Sequence, residues 1–456
     1  MEPPREDFPN RVILQIQFWQ CTRCFGHHNK QHHMQRLRRP PANINTFIYF
    51  AFRTTKDLLE SRHYQTLTTT TTSLITYTKP TLITPPINKH IKMGYPETFE
   101  GFVVDSPKTW NQFHRHELKP KPFGDDDIDV QIECCGVCGS DIHTVTGGWG
   151  DFEGPLCVGH EVVGKAIKVG KNVTEIKQGD RVGVGAQVWS CLKCDVCKSK
   201  NEQYCPHMVD TYNANYEDGS TAHGGWASHI RAHQYFTFKI PDAIPSHLAA
   251  PLLCAGITTY SPLVRANVGP GKTVGIIGVG GLGHLGIQWA RALGAEVHVL
   301  THSAYKADDA KALGAQNVIV TSDDEKWAEP YKFKFDFLLN CADATHKFDM
   351  KTYLSVLKVG GEFHMCGIPD KPLPPLEVLA FMQNGAKLSA NHLGNHQEMK
   401  AMLQLAAEKG IVPKVETVQL GEDGCKEAVE RVKEGNKVHY RLTLTGFDKV
   451  FGKVEY

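Results

Sequence analysis

The 456-residue chain has no apolar run near the ~18 residues that a membrane-crossing helix needs. That absence excludes a helical membrane protein. The longest aromatic-rich stretch, residues 47–52, is far too short. No apolar segment of the export-signal kind follows Met1-Glu-Pro-Pro-Arg-Glu-Asp. The expectation is a cytoplasmic protein whose 14 Cys are reduced, and so free for metal binding, catalysis or core packing. Net charge is also nearly absent, at +1. Basic side chains concentrate in residues 1–92, which leaves the remainder mildly acidic. An acidic body lacks the clustered positive charge that phosphate neutralisation needs, so nucleic acid is not an expected partner.

Residues 1–92 differ in texture from the rest. They carry a Thr run at 68–72, paired His at His27-His28 and His32-His33, and little periodicity. Such a segment buries too little apolar surface to fold. The expectation is a disordered extension or a mis-assigned start. A transit peptide ranks second, because Glu2, Glu6 and Asp7 put acid where transit peptides avoid it. Cys21-x-x-Cys24 with His27 and His28 could hold zinc, but chance pairing is the commoner origin of such a set.

From Met93, strand-like runs broken by Gly and Pro continue to about residue 255, for example 128–133, 161–169 and 181–184. They predict a β body. From about residue 270, short apolar strands at 273–278, 296–301, 317–321, 335–340, 362–366 and 387–391 alternate with helical segments. Leu282, Leu285, Trp289 and Leu293 share one helical face. This alternation predicts an α/β, doubly wound parallel sheet. The last ~50 residues, ending in the strand-like 439–445, are expected to return to the β body.

Gly278-Val-Gly280-Gly281-Leu282-Gly283 fits G-x-G-x-x-G, after an apolar strand and at the start of an amphipathic helix. Glycines let the chain approach a pyrophosphate, and the helix N-terminus offers it unpaired N–H groups. A bare strand–helix turn is the alternative. About 20 residues on, an NAD site usually places an acid on the ribose. Here Thr301-His302-Ser303-Ala304-Tyr305-Lys306 precedes the first carboxylate, Asp308. Hydroxyls and a cation suit a 2′-phosphate, so the expected cofactor is NADP(H). Thr301, Ser303 and Lys306 are expected nearest that phosphate and His302 against the adenine, with a solvated Lys306 as the alternative.

Cys191-x-x-Cys194-x-x-Cys197-x(7)-Cys205 offers four thiolates within 15 residues. They can enclose one tetrahedral Zn2+ with no open position, a structural rather than catalytic site. An iron–sulfur cluster is the alternative. A second set is dispersed: Gly136-Val-Cys138-Gly-Ser140-Asp141-Ile-His143, Gly159-His160-Glu161 and Pro251-Leu-Leu-Cys254-Ala-Gly256. Spacing does not join these three, and a lone His or Cys is more often core or surface.

Taken in this order, the motifs resemble those of the zinc-dependent medium-chain alcohol dehydrogenases. The resemblance is closest to the cinnamyl-alcohol-dehydrogenase-like branch and its fungal NADP-dependent broad-specificity members, and covers residues 93–456. It implies a GroES-like β domain at 93–255 with the structural-zinc lobe, a Rossmann NADP-binding domain at 256–404, and a return to the catalytic domain at 405–456. It also implies a catalytic Zn2+ on Cys138, His160 and Cys254, with Glu161 able to take the fourth position, and a structural Zn2+ on the four clustered Cys. Ser140 and His143 resemble a proton relay. Thr258 resembles a residue against the nicotinamide, Arg441 a basic group near the cofactor phosphates, and Trp149 and Trp189 walls of the substrate pocket. The implied activity is reversible hydride transfer between NADP(H) and primary alcohols or aldehydes, aromatic such as cinnamaldehyde or medium aliphatic, in a homodimer. Competing readings are a zinc-free quinone or enoyl reductase, a zinc polyol dehydrogenase and a non-catalytic NADP-binding protein. Cys134 and Cys135, beside the ligand loop, are read as small buried residues.

Overall fold

The strand-like runs sort into two large sheets. In chain order their strands are β1 (Asp127–Val137), β2 (Glu161–Val169), β3 (Arg181–Val184), β4 (His229–His233), β5 (Thr237–Lys239), β6 (Thr273–Ile277), β7 (Glu296–Thr301), β8 (Asn317–Val320), β9 (Phe335–Asn340), β10 (Leu357–Met365), β11 (Lys387–Ala390), β12 (Val415–Gln419) and β13 (Arg441–Thr445). The helices that carry or border the site are α1 (Gly139–Val145), α2 (Ala255–Arg265), α3 (Gly283–Ala292), α4 (Val378–Met382) and α5 (His396–Lys409). This computed structural model describes residues 95–453, apart from 153, 346, 347 and 436. The expectations for residues 1–92, the Cys21/Cys24 pair included, lie outside the described residues.

The first sheet runs β5-β3-β2-β1-β13-β12, and β4 also pairs with β1. Its 11-residue β1 is antiparallel to β2, β4 and β13. Register decides what meets at one end of this sheet. Gly136 lies opposite Glu161, and Val137 opposite Leu442. Cys138, Glu161 and Arg441 are therefore neighbours although 280 residues separate Glu161 from Arg441.

The second sheet is parallel throughout, in the order β8-β7-β6-β9-β10-β11. This is the doubly wound arrangement, with strand order reversing between β6 and β9, and the crevice beyond the strand ends there is where such sheets bind ligands. All five residues of β6 are buried, which is why this strand reads as a continuous apolar run. One apolar cluster extends from Cys134, Val163 and Leu253 to Val274, Leu285 and Trp289, so the two sheets share a core. Cys134 and Cys135 are both buried. Among the described residues no helix is long and apolar enough to cross a membrane.

Candidate active site

The chain leaves β1 at Cys138 and turns directly into α1. Asp141 sits at the third position of that helix, where an acid ordinarily caps the first turn, and its Oδ2 accepts from the Cys138 amide at 2.8 Å. Its other oxygen points away from the helix. Asp141 Oδ1 accepts from the Gly159 amide at 3.1 Å and from His160 Nδ1 at 3.0 Å. The carboxylate is fully buried. By engaging Nδ1 it leaves His160 Nε2 to face inward, and Nε2 has no partner among the described residues. Glu161 Oε2 is likewise buried and unpartnered, while Oε1 meets the Arg441 guanidinium. Burial pushes the Glu161 carboxyl up to about 7, with Arg441 opposing the shift.

Cys138, His160, Glu161 and Cys254 each present one donor atom, and these atoms lie within 4.8 Å of one another, all on buried residues. Orphaned buried polar atoms are costly. Two thiols, an imidazole whose far nitrogen rests on a carboxylate, and a nearby carboxylate are the donor set and outer support of a borderline-soft cation, so the residues present fit Zn2+. Asp141 stands in the Gly136–His143 motif, but spacing assigns it no role of its own.

Cys138, His160 and Cys254 form part of the wall of a cavity of about 480 Å3, within the usual range for small-molecule sites. Ser140, His143, Trp149 and Thr258 also line it. Ser140 Oγ lies 3.7 Å from Cys138 Sγ. The His143 ring stacks on Trp149 at a centroid distance of 4.9 Å, and its Nδ1 meets Asp370 from the loop after β10. Asp370 is a second polar residue that the sequence did not flag. Trp189 is not part of this cavity. Its ring packs on the core of the first sheet and borders a separate groove of about 1090 Å3. It ends the short strand Gln187–Trp189, whose pairing is irregular at this point, and its place there corrects the expectation of a pocket wall. Although larger, that groove borders only Cys191 of the two metal-ligating sets, so size does not mark the reaction site here.

Gly280, Gly281 and Leu282 line the smaller cavity at its other sheet. Gly278 has φ +85°, a left-handed conformation that glycine tolerates best. A Cβ on Gly283 would stand 1.9 Å from the Gly278 carbonyl oxygen, so only glycine lets the turn close onto α3. Lys306 reaches this cavity too, donating to the Val279 carbonyl at 2.8 Å. Thr301 is buried at the end of β7 and its Oγ1 accepts from the Ser303 amide at 3.3 Å, while His302 is exposed. Thr301, His302 and Ser303 do not line the cavity itself. Asp309, the described carboxylate bordering this region, is held by Lys414 at 2.7 Å and Tyr440 at 2.6 Å. Arg441 is buried between Glu161 and Gly281 rather than solvated.

The four clustered Cys form a lobe of their own. Their sulfurs lie 3.5 Å apart for Cys194–Cys197 and Cys191–Cys205, and 3.9 Å apart for Cys191–Cys197 and Cys194–Cys205. A tetrahedron with metal–sulfur bonds of about 2.3 Å has edges of about 3.8 Å. The set therefore fits one Zn2+ with no open position. The amides of Lys193 and Cys194 lower the Cys191 thiol, while burial raises those of Cys197 and Cys205. Hydrogen bonds tie the lobe to α2 and α5: Arg265 to Asn201 at 3.0 Å, and the His396 amide to Glu202 at 2.6 Å.

Two protein-family models match the chain. The alcohol dehydrogenase GroES-like domain covers residues 124–242, and the zinc-binding dehydrogenase model covers 281–408. The chain is 47% identical over 363 residues to NADP-dependent alcohol dehydrogenase 6 of Saccharomyces cerevisiae, covering 79% of this chain and 99% of the relative. It is 38% identical over 331 residues to probable cinnamyl alcohol dehydrogenase 3 of Oryza sativa subsp. japonica, covering 72% and 88%. Among solved structures it resembles a cinnamyl alcohol dehydrogenase from Sorghum bicolor, with TM-score 0.72, 34% identity and coverage of 79% and 99%. It also resembles the Helicobacter pylori enzyme complexed with NADP(H), with TM-score 0.69, 32% identity and coverage of 76% and 98%.

Proposed function

The chain belongs to the zinc-binding alcohol dehydrogenases with a GroES-like domain, and from that membership we infer a reaction centre at the Cys138 cluster. It is an NADP-dependent alcohol dehydrogenase, or aldehyde reductase, that interconverts primary alcohols and aldehydes. The observation that carries the assignment of the site is the unpartnered, buried pair His160 Nε2 and Glu161 Oε2. They converge with two thiols beside a cavity that also borders the glycine-rich turn.

We assign Cys138, His160 and Cys254 as ligands of a catalytic zinc, with Glu161 as an alternative fourth donor, and Cys191, Cys194, Cys197 and Cys205 as ligands of a structural zinc. When bound, zinc supplies Lewis-acid polarisation of the substrate oxygen and NADP(H) supplies the hydride chemistry. The protein's part is positioning and proton transfer. Asp141 fixes the ring orientation of His160. Arg441 opposes the upward shift that burial imposes on the Glu161 carboxyl, and so favours its ionised form beside the ligands. Ser140 hands a proton to or takes one from the substrate oxygen, and His143 carries it onward, supported at Nδ1 by Asp370. Trp149 shields the cavity from bulk water. Thr258 packs against the nicotinamide and Gly278 to Gly283 receive the pyrophosphate. Thr301, Ser303 and Lys306 take the 2′-phosphate, and His302 stacks on the adenine.

The division at 93–255, 256–404 and 405–456 into catalytic, nucleotide-binding and returning segments is part of the same proposal, as is a homodimer. The open edge of β11 supports the dimer, together with Val378, Leu379 and Met382 of α4, exposed by 75%, 66% and 70%. The proposed cytoplasmic location agrees with the free thiols of all the described Cys.

The deciding experiment follows absorbance at 340 nm with full-length, zinc-loaded protein, cinnamaldehyde and either NADPH or NADH. Oxidation of NADPH much faster than NADH, abolished by chelation, is expected. No oxidation with either cofactor, in folded protein holding two zinc ions, would overturn the assignment of the site.

A further inference from the structure

One charged side chain bordering the reaction cavity has no role in the steps above. Asp210 ends the short strand Val209–Asp210, which pairs with Gln187–Trp189. Val209 is buried on one face of that strand, so alternation turns Asp210 to the other, where it borders the cavity. Its carboxylate is half exposed. Its one ion-pair partner among the described residues is His392 Nε2 at 3.8 Å, beyond hydrogen-bond range. His392 is itself held through Nδ1, which meets the Gln203 carbonyl at 3.1 Å. Both lone-pair faces of the Asp210 carboxylate are thus free to accept from a group inside the cavity.

Its position along the cavity is also defined. Two residues on, the Tyr212 ring lies 5.5 Å from the His160 ring, against the ligand cluster. Asp210 therefore belongs to the cavity-lining segment 210–213, which continues onto the ligand cluster. Although the carboxylate is half exposed, partial desolvation in the cavity wall raises its carboxyl above the usual range, with His392 opposing the shift. Outside the ligand cluster, the other lining groups used above are aromatic, neutral or cationic, so this carboxylate sets the polarity of that end.

We propose that Asp210 is a specificity-determining residue of this cavity, accepting a hydrogen bond from a donor on the end of the aldehyde remote from its carbonyl. The inference rests on the reading of the Cys138 cluster as the reaction centre. An apolar group against Asp210 would strip water from the carboxylate and return nothing. An anionic group would meet like charge in a partly desolvated site. A hydroxyl would replace the lost water directly.

Three aldehydes of similar shape test this on full-length, zinc-loaded protein with NADPH: 4-(hydroxymethyl)benzaldehyde, 4-ethylbenzaldehyde and 4-carboxybenzaldehyde. The expected order of kcat/KM is hydroxymethyl, ethyl, carboxy, with the first at least about tenfold above the second. Asp210→Leu should bring the first two within about twofold of each other. Asp210→Asn should keep a donor preference through its amide oxygen and relieve the rejection of the carboxy compound. A purely structural role would move all three substrates together. Binding gives a readout without turnover: calorimetry with 4-(hydroxymethyl)benzamide and 4-ethylbenzamide, on protein loaded with NADPH, which neither reduces an amide nor accepts hydride from an alcohol, should reproduce the ratio in the parent and lose it in Asp210→Leu. A ratio near one in the parent, or one that Asp210→Leu leaves intact, overturns the proposal. Absence of turnover with these aldehydes and with cinnamaldehyde overturns the reaction-centre reading instead, and the benzamide ratio then still decides the role of Asp210.

Discussion

Asp141 does two jobs with one carboxylate: it caps α1 and it orients His160. A supporting group of this kind typically contributes 10–100-fold to metal affinity. Asp141→Ala should therefore lose one zinc per chain on dialysis against a mild chelator while the four-Cys zinc stays, as read by metal analysis. Retention of both ions by the variant would show that His160 needs no such support. At the cofactor end, Lys306→Ala should raise the Michaelis constant for NADPH far more than for NADH, and an equal effect on both would argue against a 2′-phosphate contact. How legible each residue is depends on how locally its chemistry is encoded. Cys191 to Cys205 announce themselves because one short loop brings all four sulfurs together. Cys138, His160 and Cys254 are spread over 116 residues and meet only through sheet register, so resemblance had to join them. Asp141 stood inside the Cys138 motif without a role, and Asp370 and Asp210 carried no pattern at all, since an acid that holds a histidine and one on a solvated turn look alike in sequence. Trp189 misled for the related reason that one aromatic does not reveal which face of a short strand it occupies.

The glycine-rich turn is an element whose sequence and geometry agree throughout. β6 runs into it, Gly278 takes the left-handed conformation, and Gly283 lies under its carbonyl before α3 begins. Gly283→Ala forces a backbone clash, which typically costs 1–3 kcal/mol. The variant should melt several degrees lower and bind NADPH at least about tenfold more weakly in a fluorescence titration. Unchanged binding would mean that the turn can open without losing the cofactor. The central strand β6 was readable because a strand buried on both faces is apolar along its whole length. β10 was less so. It begins at Leu357, ahead of the apolar run at 362–366, because Lys358, Gly360 and Gly361 offer no hydrophobic signal while their backbone extends the strand.

At the scale of the whole molecule, buried histidines make stability depend on pH. Burial lowers His229 from 6.5 to about 4. The folded state therefore refuses a proton that the unfolded chain accepts. The stabilisation is complete above about 6.5, is lost progressively as pH falls towards 4, and amounts to roughly 3 kcal/mol over that window. His229→Phe keeps the ring against Phe99 and removes the titration, so its urea midpoint should fall less between pH 7 and 4.5 than that of the parent. The exposed face of α4 and the edge of β11 make a second molecular-scale prediction: Leu379→Asp should shift the mass measured by light scattering from two chains to one. The first sheet has a further consequence, which concerns the order of synthesis. β13 inserts beside β1 and delivers Arg441 to Glu161, yet it is made after the whole parallel sheet. On the ribosome, the nucleotide-type sheet can close while the edge of β1 is still bare. A nascent chain stopped before residue 441 would carry all three assigned zinc ligands and the glycine-rich turn, but no cation beside Glu161. The proposed catalytic centre is therefore completed last, by a strand made after the whole parallel sheet.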